Sequence, residues 1–253
     1  MKLYVFSVKR VKKFLFPLIS AFFCALILYT FQNPSVLAIK NFTNNQIFYH
    51  GNLNDQRIAL TFNITMEGGN ITPLLTLLKD KQIENATFFI TNDVIEKSPK
   101  IIEKIAKMGY EIGILGDKNK KYDTSTRLQL AKEFEKAKNS LKACNIASPK
   151  WLRLPNGDYT EDALDIAKQS GLTFIHWSII PPEQHTLKVS EQLRQLETQF
   201  KTGDVLVFEP VVPNIKLLSD LEKMLPELKK RGYIFSNITD LITDLHFQTK
   251  EIQ

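Results

Sequence analysis

Cysteine is nearly missing from this chain: Cys24 and Cys144 are the two in 253 residues, so neither a disulfide framework nor a thiolate metal site can be built. Histidine is scarce too, with His50, His176, His185 and His246 scattered along the sequence. A metal centre would have to draw on Asp, Glu and isolated imidazoles. The G-x-G-x-x-G spacing of a dinucleotide-binding turn is absent, because the early glycine-containing turn, Thr65 to Asn70, reads TMEGGN. Outside the first thirteen residues, clustered basic patches are lacking as well. The net charge is +6, but much of the excess sits in Lys2, Lys9, Arg10, Lys12 and Lys13, so no nucleic-acid partner is expected. An anionic surface suits this charge better.

What the chain does have is one long apolar run. FLFPLISAFFCALILYTF, Phe14 to Phe31, carries no charge and has about the length needed to cross a bilayer core of ~30 Å. With the basic flank 1–13 before it, the positive-inside rule leaves the N-terminus in the cytoplasm and the rest of the chain outside. The expectation is a single-pass anchor over 14–31. A signal peptide cleaved near Val36-Leu37-Ala38 is the alternative.

Residues 32–56 are rich in Asn and polar side chains, contain Pro34 and show no sustained periodicity, which reads as a linker. From Arg57 onward short β-branched or aromatic runs alternate with amphipathic ones. Strands are predicted near 57–62, 86–90, 111–114, 150–153, 173–177, 204–208 and 233–236, and helices near 70–82, 92–107, 125–143, 160–170, 189–201, 214–231 and 239–245. Ser98-Pro99 and Thr160-Glu161-Asp162 carry helix-start chemistry. The fold class expected is α/β, a distorted (β/α) barrel of about seven units over 57–247, with a tail at 248–253. In a barrel, function sits at the C-terminal ends of the strands. One mouth should then collect Asn63 to Thr65, Ile114 to Asn119, Arg153 to Tyr159, Ser178 to Glu183, and Glu209.

These segments, IALTF, NATFFI, MGYEIG followed by LG, LRLPNGDYT, FIHWS and GDVLVF, resemble in order the motifs of the polysaccharide deacetylases, the NodB-homology family. The likeness runs from Arg57 to Leu245 and is nearest to the sporulation-associated, PdaB-like branch. It implies an N-acetyl sugar as substrate. A divalent metal such as zinc, held by one Asp and two His, would activate water, with a second Asp as base and a further His as acid.

Carried over position by position, the resemblance puts the base at Asn63 and the carboxylate ligand at Ile64. The His-x-x-x-His ligands fall on Leu115 and Asn119, an Asp-Trp motif on Glu183-Gln184, and the acid on Glu209. Arg153, Pro155 and Gly157 survive, followed by Asp158 and Tyr159. No metal ligand of the set remains, so no cofactor is expected. An amide at Asn63 cannot accept a proton at neutral pH. Groove residues are expected to be Asn63, Asn119, Arg153, Pro155, Asp158, Tyr159 and Glu209, with Glu209 or Asp158 approaching Arg153 because a buried guanidinium needs a counter-charge. His176, on an apolar strand, reads as a satisfied core histidine.

The function expected is a membrane-anchored, extracytoplasmic, non-catalytic protein of the cell wall or spore envelope, facing the wall or the forespore intermembrane space and binding a peptidoglycan-like glycan. The alternative is an active N-deacetylase whose ligands lie elsewhere.

Overall fold

The structure, a computed structural model, describes residues 47–51, 56–117, 120–146, 149–157, 159–179, 201–210 and 215–243. The apolar run 14–31, the helix expected over 189–201 (all but its last residue), and Asn119, Asp158 and Glu183 lie outside these residues. Among the described residues no helix is long and apolar enough to cross a membrane.

The strands are β1 (Ile47–Phe48), β2 (Arg57–Ile64), β3 (Thr87–Thr91), β4 (Glu111–Leu115), β5 (Trp151–Arg153), β6 (Thr173–Ile175), β7 (Val205–Phe208) and β8 (Ile234–Ser236). They form one parallel sheet in the order β1-β6-β5-β4-β3-β2-β7, with β8 also on β2. β7 and β8 share one edge of β2: Ile234 to Ser236 pair with Arg57 to Ala59, and Val205 to Phe208 with Ala59 to Phe62. Beyond β6, Ile179 bridges Leu206 of β7, which brings the two ends of the sheet together. The result is a curled, barrel-like α/β fold.

Side chains alternate across a strand, and here the alternation makes two apolar layers. Ile58, Leu60, Phe62 and Ile64 of β2 face the helices, where they join Phe88, Ile90, Ile112, Ile114 and Leu152. Ala59 points the other way, into an inner cluster with Phe89, Leu115, Trp151, Ile175 and Val205. The outer layer is closed by α1 (Thr72–Asp80), α2 (Asn92–Lys97), α3 (Pro99–Lys107), α4 (Arg127–Ala143), α5 (Glu161–Gln169) and α6 (Ile215–Lys230).

Two local expectations are corrected. The helix foreseen over 92–107 is two helices broken at Ser98, which has φ −134° and ψ 52° and makes no side-chain cap. The proline at 99 disfavours a helical conformation for the residue before it. Thr160, in contrast, does cap α5, accepting from Ala163 N at 3.2 Å. The sheet also reaches into the stretch read as linker. Ile47 and Phe48 pair with Phe174 and Ile175, His176 N donates to Phe48 O at 2.9 Å, and Gly51 lies against Leu241 so closely that a Cβ there would come within 2.6 Å of it.

At the inner end of the barrel Glu111 ties several elements together. Its carboxylate accepts from Thr87 Oγ1 at 2.6 Å, Trp151 Nε1 at 2.7 Å and the backbone N–H of Ile238 at 2.9 Å, and also from the Thr239 hydroxyl. The negative charge thus meets the first N–H groups of the helical segment 238–243, where an anion is favoured.

Candidate functional site

The site grows from the inward face of β2. The alternation that places Ala59 inside also turns Thr61 and Asn63 inward, while Ile64 turns out. Arg153 ends β5 and is only 1% exposed, its guanidinium 3.9 Å from the centre of the Phe89 ring. Four of its five N–H donors are used. Nη1 donates to Thr61 Oγ1 at 2.9 Å and to Asn63 Oδ1 at 3.0 Å, Nε to Ile175 O at 3.2 Å, and Nη2 reaches His176 O at 3.4 Å. Thr61 passes its own proton to Leu206 O at 2.6 Å, so its oxygen is free to accept. Burial pushes the Arg153 pKa down, the charge of Glu209 offsets part of that, and the result is about 9. The group stays charged at neutral pH.

Asn63 is the hinge of this arrangement. Its Oδ1 faces the cation, and its Nδ2 donates to Glu209 Oε1 at 2.8 Å. A primary amide offers one acceptor and two donors, so it can satisfy a cation on one side and an anion on the other. Arg153 and Glu209 therefore do not form the direct ion pair expected from sequence. The amide stands between them, and Glu209 remains exposed at the strand end.

The positions that the resemblance assigns to metal ligands hold apolar side chains. Ile64 is 2% exposed in the helix-facing layer, opposite in direction to Asn63. Leu115, 3% exposed, packs inside the barrel. A divalent cation needs converging carboxylates or imidazoles, and here the two described ligand positions are buried alkyl groups, while the Asn63 amide oxygen is 3.0 Å from the Arg153 cation. These residues do not fit a metal. No group of three His, Cys, Asp or Glu side chains converges among the described residues.

Of the other groove residues, Pro155 is buried and opens the short 3-10 turn Pro155–Gly157. Tyr159 is 42% exposed, and its hydroxyl is 3.1 Å from that of Tyr49. His176 is not a core residue but half-buried, its Nδ1 facing Trp177 O at 2.7 Å. The imidazole stacks on Trp177 with centroids 4.3 Å apart and on Tyr49 at 4.9 Å. Trp177 in turn lies 5.7 Å from the Arg153 guanidinium. Sequence reasoning missed Thr61, which strand alternation could have revealed, and Tyr49, for which no local signal exists.

A family model described as polysaccharide deacetylase matches residues 50–175, a stretch that holds Asn63 and Arg153. The domain belongs to the polysaccharide deacetylase family. Among its relatives, peptidoglycan-N-acetylmuramic acid deacetylase PdaA of Bacillus subtilis is 27% identical over 203 residues, covering 77% of this chain and 74% of PdaA. The Bacillus subtilis protein YlxY is 21% identical over 196 residues, 78% of this chain; the match spans 60% of YlxY's own length. Among solved structures, BA3943, a CE4 family pseudoenzyme from Bacillus anthracis, superposes with a TM-score of 0.69 at 20% identity, covering 77% of this chain and 68% of that one. A mutant of BA3943 with restored enzymatic activity matches equally well in TM-score, at 0.69. At such identity the structural likeness speaks for the fold.

Proposed function

We propose that this polysaccharide deacetylase domain is a non-catalytic glycan-binding protein of the cell wall or spore envelope, held at a membrane face by its N-terminal segment and working during sporulation. The observation that carries the reading is Asn63. It stands where the family resemblance puts the base, and both ends of its amide are occupied, by Arg153 at 3.0 Å and Glu209 at 2.8 Å. A group so placed cannot take a proton from water at neutral pH. Ile64 and Leu115, buried in apolar layers, supply nothing in the ligands' stead. PdaA acts on peptidoglycan by its name, which supports a glycan of that kind as the ligand.

The test is metal content together with acetate release from N-acetylated peptidoglycan, run beside co-sedimentation with the same material. The expected result is co-sedimentation without acetate release and without stoichiometric zinc, cobalt or nickel. Acetate release abolished by a chelator would overturn the proposal and establish the enzymatic alternative.

A further inference from the structure

The orientation of the Asn63 amide has a consequence for which form of glycan the mouth accepts. Arg153 spends its donors inward, on Thr61, Asn63 and two backbone carbonyls, and is 1% exposed. Glu209 faces outward. One of its oxygens, Oε1, is held by Asn63 Nδ2 at 2.8 Å, and Oε2 has no partner among the described residues. The charge presented to a ligand here is therefore negative, while the positive charge lies sealed behind the amide.

A carboxylate accepts hydrogen bonds and donates none. Opposite an acetamido group it would meet at most one N–H and would lie near a methyl group. Opposite a protonated amine it meets up to three donors and a full opposite charge, the stronger kind of hydrogen bond. The neighbouring wall is aromatic. Trp177 stacks on His176 at 4.3 Å, His176 on Tyr49 at 4.9 Å, and Trp177 lies 5.7 Å from the same guanidinium whose amide partner holds Glu209. Trp177, half-buried, and Glu209 are both tied to that one buried cation, Trp177 through its ring and Glu209 through the Asn63 amide.

We propose that the mouth binds the de-N-acetylated glycan, Glu209 recognising the free ammonium of an amino sugar while the ring packs against Trp177. This rests on the glycan-binding reading above and narrows it to one chemical form. In reaction terms the ligand is the product of amide hydrolysis at a sugar nitrogen, so a separate deacetylation must come first. The domain then reads where that reaction has taken place.

The test uses the full chain in detergent and two probes, the hexamer of N-acetylglucosamine and its fully de-N-acetylated counterpart, with calorimetry at mildly acidic pH, where the amine carries its proton. At least tenfold tighter binding of the de-N-acetylated hexamer is expected. Glu209→Gln, which keeps an oxygen for Asn63 to bond, should erase that preference, and Trp177→Ala should weaken both probes. Glu84→Gln, an exposed carboxylate in the loop before β3, should leave the preference intact, which separates recognition from attraction of any polycation. Equal affinity for the two probes, tighter binding of the acetylated one, or a preference that survives Glu209→Gln would overturn the inference yet leave glycan binding standing. If neither probe binds and peptidoglycan does not sediment the protein, the glycan-binding function itself fails.

Discussion

Asn63→Asp is the substitution that restores the residue type the family resemblance calls for, and the geometry says it will not be neutral. Asn63 Nδ2 donates to Glu209 Oε1 at 2.8 Å. A carboxylate in its place sets two anionic oxygens against each other at that separation. Two like charges about 3 Å apart repel by roughly 5.5 kcal/mol at an effective dielectric of about 20 and by roughly 1.4 kcal/mol in bulk water. Glu209 is exposed, which favours the lower end. The new carboxylate also gains a direct pairing with Arg153 that offsets part of this, so a net loss on the order of 1 kcal/mol at neutral pH follows.

Adding Glu209→Gln removes the repulsion and supplies a donor to the new carboxylate. A double-mutant cycle on urea unfolding should therefore give a coupling on the order of 2–4 kcal/mol. The pH dependence has a definite sign. Two carboxyls sharing one proton have a folded-state pKa raised above the unfolded value, so their stabilisation is present at low pH and lost as pH rises through the raised value. The deficit of the single variant should shrink on acidification, and that of the double variant should not. A coupling below about 0.5 kcal/mol, the scatter expected of independent sites, or a single-variant deficit that ignores pH, would refute the relay.

Arg153→Lys keeps the charge but cannot reproduce four donated hydrogen bonds or the stacking on Phe89, and should lose about 3–5 kcal/mol in chemical unfolding; a loss under 1 kcal/mol, typical of exposed pairs, would show that the site is wetter than its burial implies. Glu111→Gln, by weakening the charge-assisted bonds to Trp151 and to the backbone at Ile238, should cost roughly 1.5–3 kcal/mol, and Glu111→Ala more. In alkaline titration followed by ultraviolet absorbance, Tyr49 and Tyr110, pushed up to about 12 chiefly by desolvation, and Tyr122, raised further by burial and by Glu133, should ionise late. Their folded-state pKa values lie above the unfolded ones, so the stability they contribute is complete below the ordinary tyrosine range near pH 10 and is lost as pH climbs beyond it; normal tyrosine ionisation throughout would contradict the packing. A chain beginning at residue 47 should fold, and one beginning at Arg57 should be less stable because β6 loses its edge partner β1.

The seven strands from β2 to β8 were legible because their residues carry both apolar faces locally, as IALTF and TFFI do. β1 was not, since two residues make a strand only by pairing with Phe174 and Ile175, more than a hundred positions away. The site was legible in its members, Asn63, Arg153 and Glu209, and illegible in its wiring. Counter-charge reasoning joined the two ions directly and gave no weight to a neutral side chain able to serve both. Ile64 shows the opposite lesson. Its burial among the helix-facing residues follows from the period of a strand and could have been read from the pattern alone. Ser98 has the right residue type for a cap but not the backbone to use it, whereas Thr160 has both.

Glu111 has a bearing on the order in which the domain can be made. Its carboxylate gathers Thr87, Trp151 and the first N–H groups of the segment 238–243, so its bonds join early, middle and final parts of the chain. A ribosome delivers those parts N-terminus first. Until the final segment emerges, Ile238 and Leu241 are missing from the inner apolar cluster and part of the Glu111 carboxylate has only water to bond. The barrel is therefore assembled as an open vessel and stoppered last, and shortening the chain before residue 238 should leave a species that collapses but does not lock.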